Sequence, residues 1–190
     1  MIQVALADAG LRPADLHLLA VTIGPGSFTG VRIGLAAARG LSLALGLPVA
    51  GLTTTEALLA GVAAAASKGA HQEGRRLMAA IDTHRGDYYA AFGDAPSPFI
   101  ADATQVASLC AGRSLLVVGD GAASLCAALA AAGIDALPAP PAAPDAEVIA
   151  RLALLHGVDH WRTANHRDGM PRPLYLRPAE VTLPRTAGPQ

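Results

Sequence analysis

Lysine is almost absent from this chain: Lys68 is alone among fourteen basic residues, and the rest are arginine. Fifteen acidic residues bring the net charge to −1, so no basic surplus exists to hold a nucleic-acid backbone unaided. Any RNA contact would need a partner's help, and the arginine bias itself carries no functional weight. Cysteine is scarce too. Cys110 and Cys126 share no CxxC spacing and have no histidine neighbours, which argues against a disulfide framework and favours a reducing compartment, the cytoplasm. No apolar run approaches a membrane span, because LAVTI, LLAGVAAAA and LLVV are too short or interrupted. The opening MIQVALADAG has no basic region followed by an apolar core, so it is not a signal peptide.

Catalytic signatures are lacking as well. The turn GPGSFTG precedes a helix, where amide groups favour anions, yet it has no GxxxxGK[ST] lysine and its glycines do not fit GxGxxG. No Gly-x-Ser-x-Gly elbow occurs, and neither cysteine has the context of an activated thiolate. His156 and His160 have the spacing to share a metal on one helix, but the intervening residues lack the glutamate of HExxH, which favours two surface histidines. Asp82, His84, Asp87 and Asp120 flank or occupy glycine-rich turns and read as turn chemistry rather than an acid-base set.

What the chain does have is a core. Hydrophobic residues make up 52% and charged residues 15% of 190, enough for one large domain or two small lobes. Ile2, Leu6 and Ala9 recur at helical spacing, and Leu18 to Ile23 reads as a buried strand ended by Gly24, Pro25 and Gly26. Ser27 or Thr29 can cap the helix Phe28 to Leu45. Pro48 to Gly51 is extended, and Thr53 with Glu56 forms a capping box opening the next helix. Residues 67 to 76 are a polar linker. Leu77 to Asp82 and Asp87 to Phe92 form a hairpin, Leu115 to Val118 a strand and Ala122 to Ala132 a helix ended by Gly133. Pro138 to Pro144 is a connector, Asp145 to Trp161 one helix, and PRPLYLRPAEV a proline-interrupted tail. Interleaved strands and helices give an α/β class. The expected divisions are residues 1–66, 77–144 and 145–190.

The helix Phe28 to Leu45 is apolar on two sides, which normally means burial on two sides. One face collects Gly30, Ile33, Gly34, Ala37, Ala38, Leu41, Ala44 and Leu45, and is expected to press on the sheet. The other carries Arg32, Leu35, Ala36, Arg39, Ser42 and Leu43, and is expected to receive a helix from another chain or a second copy. An alanine-rich helix covered by the rest of the chain remains open.

The segments GPGSFTGVRIG, AAARGLSLALGLPVAGLTTTEALLAG, IDTHRGDYYAAF, VVGDGA and PLYLRP resemble the bacterial TsaB family, also called YeaZ. The resemblance implies an actin-like, ribonuclease-H-like ATPase fold in two lobes and a non-catalytic companion of the paralogue TsaD. With TsaE and TsaC these proteins make threonylcarbamoyladenosine beside the anticodon of transfer RNA. Thr54 and Leu58 fall where the paralogue's NHxEGH segment has histidine ligands, so no catalytic residue and no metal site are expected. Relative to the family, the first strands of the N-terminal lobe are expected to be missing, Met1 standing inside the first helix.

The implied docking surface comprises Ile2, Leu6, Arg32, Leu35, Ala36, Arg39 and Leu43, with Gly30, Gly34 and Ala38 allowing close helix packing. TsaD is the expected partner, TsaE and tRNA joining through the complex, with a homodimer open. No cofactor is expected in the chain, and nucleotide at the partner interface stays open. The competing readings are a metallopeptidase or ATPase in its own right, and a self-associating structural protein.

Overall fold

The computed structural model describes residues 2–66, 74–110 and 112–177. Most of the polar linker and the end of the tail lie outside them. The first lobe runs through α1 (Ile2–Asp8), β1 (Leu19–Thr22), α2 (Phe28–Leu45), β2 (Val49–Leu52) and α3 (Thr54–Ala66). β1 and β2 pair in parallel from Leu19 opposite Val49 to Thr22 opposite Leu52. The second lobe contains β3 (Arg76–Asp82), β4 (Tyr88–Phe92), β5 (Ala95–Ala101), α4 (Ala103–Cys110), β6 (Leu115–Val118), α5 (Ala122–Ala131) and β7 (Ala136–Pro138). Its five strands lie in the order β5-β4-β3-β6-β7, antiparallel on the β5 side of β3 and parallel on the β7 side. α6 (Ala146–His156) and α7 (Val158–Asp168) then return to the first lobe, where α6 packs on β1, β2 and α3.

Local chemistry accounts for several boundaries. Ser27 Oγ accepts from the Gly30 amide at 3.3 Å, so Ser27 rather than Thr29 caps α2. The Glu56 amide donates to Thr53 Oγ1 at 3.1 Å while the Thr53 amide donates to Glu56 Oε2 at 2.7 Å, the reciprocal pair of a capping box at the start of α3. The β3–β4 hairpin pairs Met78 with Phe92 and Asp82 with Tyr88.

Strand alternation then sorts the core into layers. Met78 and Ala80 face α4 and α5, joining Val106, Cys110, Leu125 and Leu129. Ala79 and Ile81 face the other way and meet Leu58 and Leu59 of α3. One residue earlier, Ala57 joins the first lobe's core with Ala50, Leu52, Ile149 and Ala153. α3 therefore belongs to both cores, and this fixes how the lobes meet.

Two expectations about elements need correction. The single helix Asp145 to Trp161 is broken at Gly157, whose φ of 82° ends α6 and starts α7. The statement that no apolar stretch approaches a membrane span also fails for α2. That helix has 18 residues with a mean hydropathy of 1.2, long and apolar enough to cross by length and composition. It carries Arg32 and Arg39, each costing about 2.5–3.5 kcal/mol at a bilayer centre. Both arginines instead bond to the chain's own tail.

Candidate functional site

The rotation of α2 decides which surface is free. Leu35, Ala38 and Ser42 are its buried residues, at the i, i+3, i+7 spacing of one helical stripe. Leu35 is 2% exposed, so its expected place on the outer side is wrong, as is that of Ser42. Ile33 and Leu43 are 65% and 78% exposed, and Ala36, Ala37, Gly40 and Ala44 are exposed with them. Ile33, Ala37 and Ala44, expected against the sheet, thus lie outside. The reason is composition: alanine, glycine and leucine on every side leave the phase of the stripe undetermined until β1 supplies a contact.

The remaining docking candidates divide in the same way. Arg32 is exposed, and Arg39 is half-buried with Nη2 donating to the Pro171 carbonyl at 2.6 Å. On α1, Ile2 is exposed and Leu6 half-buried. Of the proposed packing positions, Gly34 approaches β1, where a Cβ would lie 3.5 Å from Val21 Cγ2, and Ala38 is buried. Gly30 is exposed at the solvent side of the first turn and packs on no strand, which corrects its expected role.

A cleft of about 1160 Å³ opens beside this helix. Pro25 to Phe28 and Arg32 wall it from the first lobe, Ile81 to Arg85 and Asp120 from the second, and Leu174 to Arg177 from the tail. These are segments of GPGSFTGVRIG, IDTHRGDYYAAF, VVGDGA and PLYLRP, brought together from the whole length of the chain. Within the cleft, Asp120 Oδ1 accepts from the Asp82 amide at 3.0 Å, and Asp82 Oδ1 accepts from the His84 amide at 2.7 Å. Thr83 Oγ1 donates to the Asp87 carbonyl at 2.9 Å and to its carboxylate. The aspartates therefore organise turns, as their sequence positions indicate. What sequence reasoning missed is their convergence on one cleft, since nothing local in the chain records it.

The tail forms the third wall. The Leu174 amide donates to the Ile23 carbonyl at 2.8 Å, and Arg32 Nε donates to Tyr175 Oη at 2.8 Å. The Arg32 guanidinium sits 3.7 Å from the Phe28 ring centroid and 5.7 Å from that of Tyr175, the two rings being 5.9 Å apart. Arg177 pairs with Asp87 in the β3–β4 turn.

A family model described as TsaD, tRNA N6-adenosine threonylcarbamoyltransferase, matches residues 1–94. An Escherichia coli K12 protein named tRNA threonylcarbamoyladenosine biosynthesis protein TsaB is 42% identical over 89 residues, 47% of this chain and 36% of its own length. Its Bacillus subtilis namesake is 36% identical over 88 residues, 46% of this chain and 35% of its own. The matches thus span little more than a third of these relatives. A crystal structure described as an uncharacterized protein with similarity to peptidase YeaZ from Pseudomonas aeruginosa superposes with a TM-score of 0.68 at 22% identity, over 93% of this chain and 81% of that one.

These likenesses in sequence and fold support the TsaB/YeaZ family for this chain. Its fold is the actin-like α/β arrangement, and four of the five segments that carry the resemblance line the cleft. The resemblance sets Thr54 and Leu58 where the paralogue has histidine ligands. Leu58 is buried against Ala79, Ile81 and Val118 and offers no donor atom, and the Thr54 amide is bound to the Gly24 carbonyl at 2.8 Å. His156 and His160 lie across the Gly157 break with ring centroids 5.3 Å apart, both edge-on to Trp161. Among the described residues no third acidic, histidine or cysteine group joins them.

Proposed function

We propose that this chain is a non-catalytic scaffold that binds TsaD through α1 and the outer face of α2, and so activates threonylcarbamoyladenosine formation on transfer RNA. The carrying observation is the outer face itself. Ile33, Leu43, Ala36, Ala37 and Ala44 lie exposed along α2, while Ile2 and Val4 are exposed on α1. Burying Ile33 and Leu43 in a partner would each contribute about 1.5–3 kcal/mol, and the alanines would let a second helix approach closely. The turn-bound aspartates of the cleft and the apolar Leu58 fit a supporting role better than a catalytic one. TsaE and tRNA would meet the chain through the complex, any nucleotide would sit at the partner interface, and the tRNA substrate places the role in the cytoplasm.

The test is reconstitution with purified TsaD, TsaE, TsaC and transfer RNA. Adding this chain is expected to raise the rate of threonylcarbamoylation, while the chain alone neither modifies tRNA nor hydrolyses nucleotide. Hydrolysis of nucleotide or peptide by the chain alone would favour the enzymatic alternative. A stable dimer that TsaD does not exchange would favour self-association.

A further inference from the structure

The tail residues 171–177 hold the two lobes together at the mouth of the cleft, and they do so through residues that also reach the proposed docking face. On the first lobe the segment is seated deeply. The Pro171 carbonyl accepts from Arg39, and Pro171 packs so closely over β2 that a Cβ on Gly51 would lie 2.6 Å from its own Cβ. The Leu174 amide extends the bonding of β1 through the Ile23 carbonyl, and the Leu174 carbonyl would lie 3.2 Å from a Cβ on Gly24. On the second lobe the segment has one ionic anchor, Arg177 to Asp87, whose side chains are 27% and 20% exposed. Asp87 is itself held in its turn by Thr83.

Between these anchors lies Tyr175. Its hydroxyl accepts from Arg32, and its ring lies near Phe28, which is 58% exposed at the start of α2. Arg32 and Phe28 thus belong both to the helix that faces the partner and to the cluster that retains the tail.

We infer that the segment 171–177 is a strap, latched by Arg177 and Asp87, that couples the closure of the two lobes to docking on α2. With the latch closed, Tyr175 holds Arg32 over Phe28 and fixes the N-terminal end of the docking face. With the latch broken, Tyr175 loses its outer anchor, Arg32 loses its fixed acceptor, and a partner must order both on binding. Linkage makes the effect reciprocal: a partner that binds the ordered face also closes the latch. The inference rests on the docking reading given above, and it adds a control element at the same surface.

The experiment compares the full chain with Arg177→Gln and the charge-retaining Arg177→Lys. Residue-resolved hydrogen exchange is measured on each protein alone, and TsaD affinity by titration. Arg177→Gln is expected to speed exchange of the Leu174 amide by about tenfold or more, with Leu125 and Leu129 in the second-lobe core unchanged. Its TsaD affinity is expected to fall by about tenfold, while Arg177→Lys stays close to the parent in both readouts. Unchanged exchange at Leu174 would overturn the latch, and faster exchange with unchanged affinity would overturn the coupling. If the parent chain itself does not bind TsaD, the docking reading fails and the coupling with it, while the exchange comparison still decides the latch. Should Arg177→Gln fail to fold, Asp87→Asn removes the same ion pair from the other side and is read by the same two measurements.

Discussion

Ile33 and Leu35 stand two positions apart on α2 and face opposite ways, Ile33 being 65% exposed and Leu35 2%. Two helical residues subtend about 200°, so one apolar side chain serves the fold and its neighbour is left for another surface. Leu35→Ala is expected to lower stability by about 2–5 kcal/mol, and Ile33→Glu to leave the melting temperature nearly unchanged. Denaturation curves on the two variants check this, and a strongly destabilised Ile33→Glu would mean that the outer face is already covered.

Asn165 closes the free side of β2 with a side chain instead of a strand. Its Oδ1 accepts from the Val49 amide at 2.7 Å and its Nδ2 donates to the Val49 carbonyl at 3.0 Å, where Val49 is fully buried. Asn165→Leu removes both partners from a buried peptide group and is expected to cost about 2–4 kcal/mol. Asn165→Asp keeps an acceptor for the amide but sets a carboxylate against the carbonyl, so it should recover only part of the loss. Urea titrations of both variants provide the comparison.

Gly119 lies under β3, with φ at 107° and with a Cβ position 2.2 Å from the Ala80 carbonyl oxygen. Both the conformation and the space exclude a side chain, because the obstructing atom is backbone and cannot move aside. Gly119→Ala is expected to destabilise the second lobe by about 3 kcal/mol or more. Thermal unfolding measures it, and a cost within about 0.5 kcal/mol would contradict the geometry.

Both cysteines lie in the second-lobe core as free thiols. Burial pushes the Cys110 thiol up, and pushes Cys126 from 9.0 up to about 11. A folded-state value above the unfolded one keeps the thiol protonated in the native state. The stability it contributes is therefore fully present below about pH 9 and is lost as pH rises towards about 11, by about 2–3 kcal/mol for Cys126. Neither thiol is expected to react with iodoacetamide at pH 8 until the chain unfolds. Rapid labelling of the native protein would show that the core is open.

Much of the fold is legible in the sequence because its signals are local. Ser27, the Thr53–Glu56 pair and the β3–β4 hairpin are written in adjacent residues and recur in the structure where expected. β5 is harder to read, since Pro96 and Pro98 argue against a strand, yet it lies at the sheet edge, where a missing amide donor is tolerated. The break at Gly157 was hidden because apolar residues continue in helical spacing on both sides of it. The site divides similarly. The chemistry of the Asp82 and Asp120 turns follows from sequence, whereas the orientation of α2 depends on its packing against β1 and the meeting of Arg177 with Asp87 spans 90 residues.

The central claim is that the outer face of α2 binds TsaD. Calorimetric titration of purified TsaD with the parent chain, Ala36→Glu and Leu43→Glu tests it most directly, all three proteins first being shown to share one melting temperature. A saturable complex of equal stoichiometry is expected for the parent, with a loss of about a hundredfold or more in affinity for both variants. Parent-like binding by the two variants, or no binding by the parent, would contradict it.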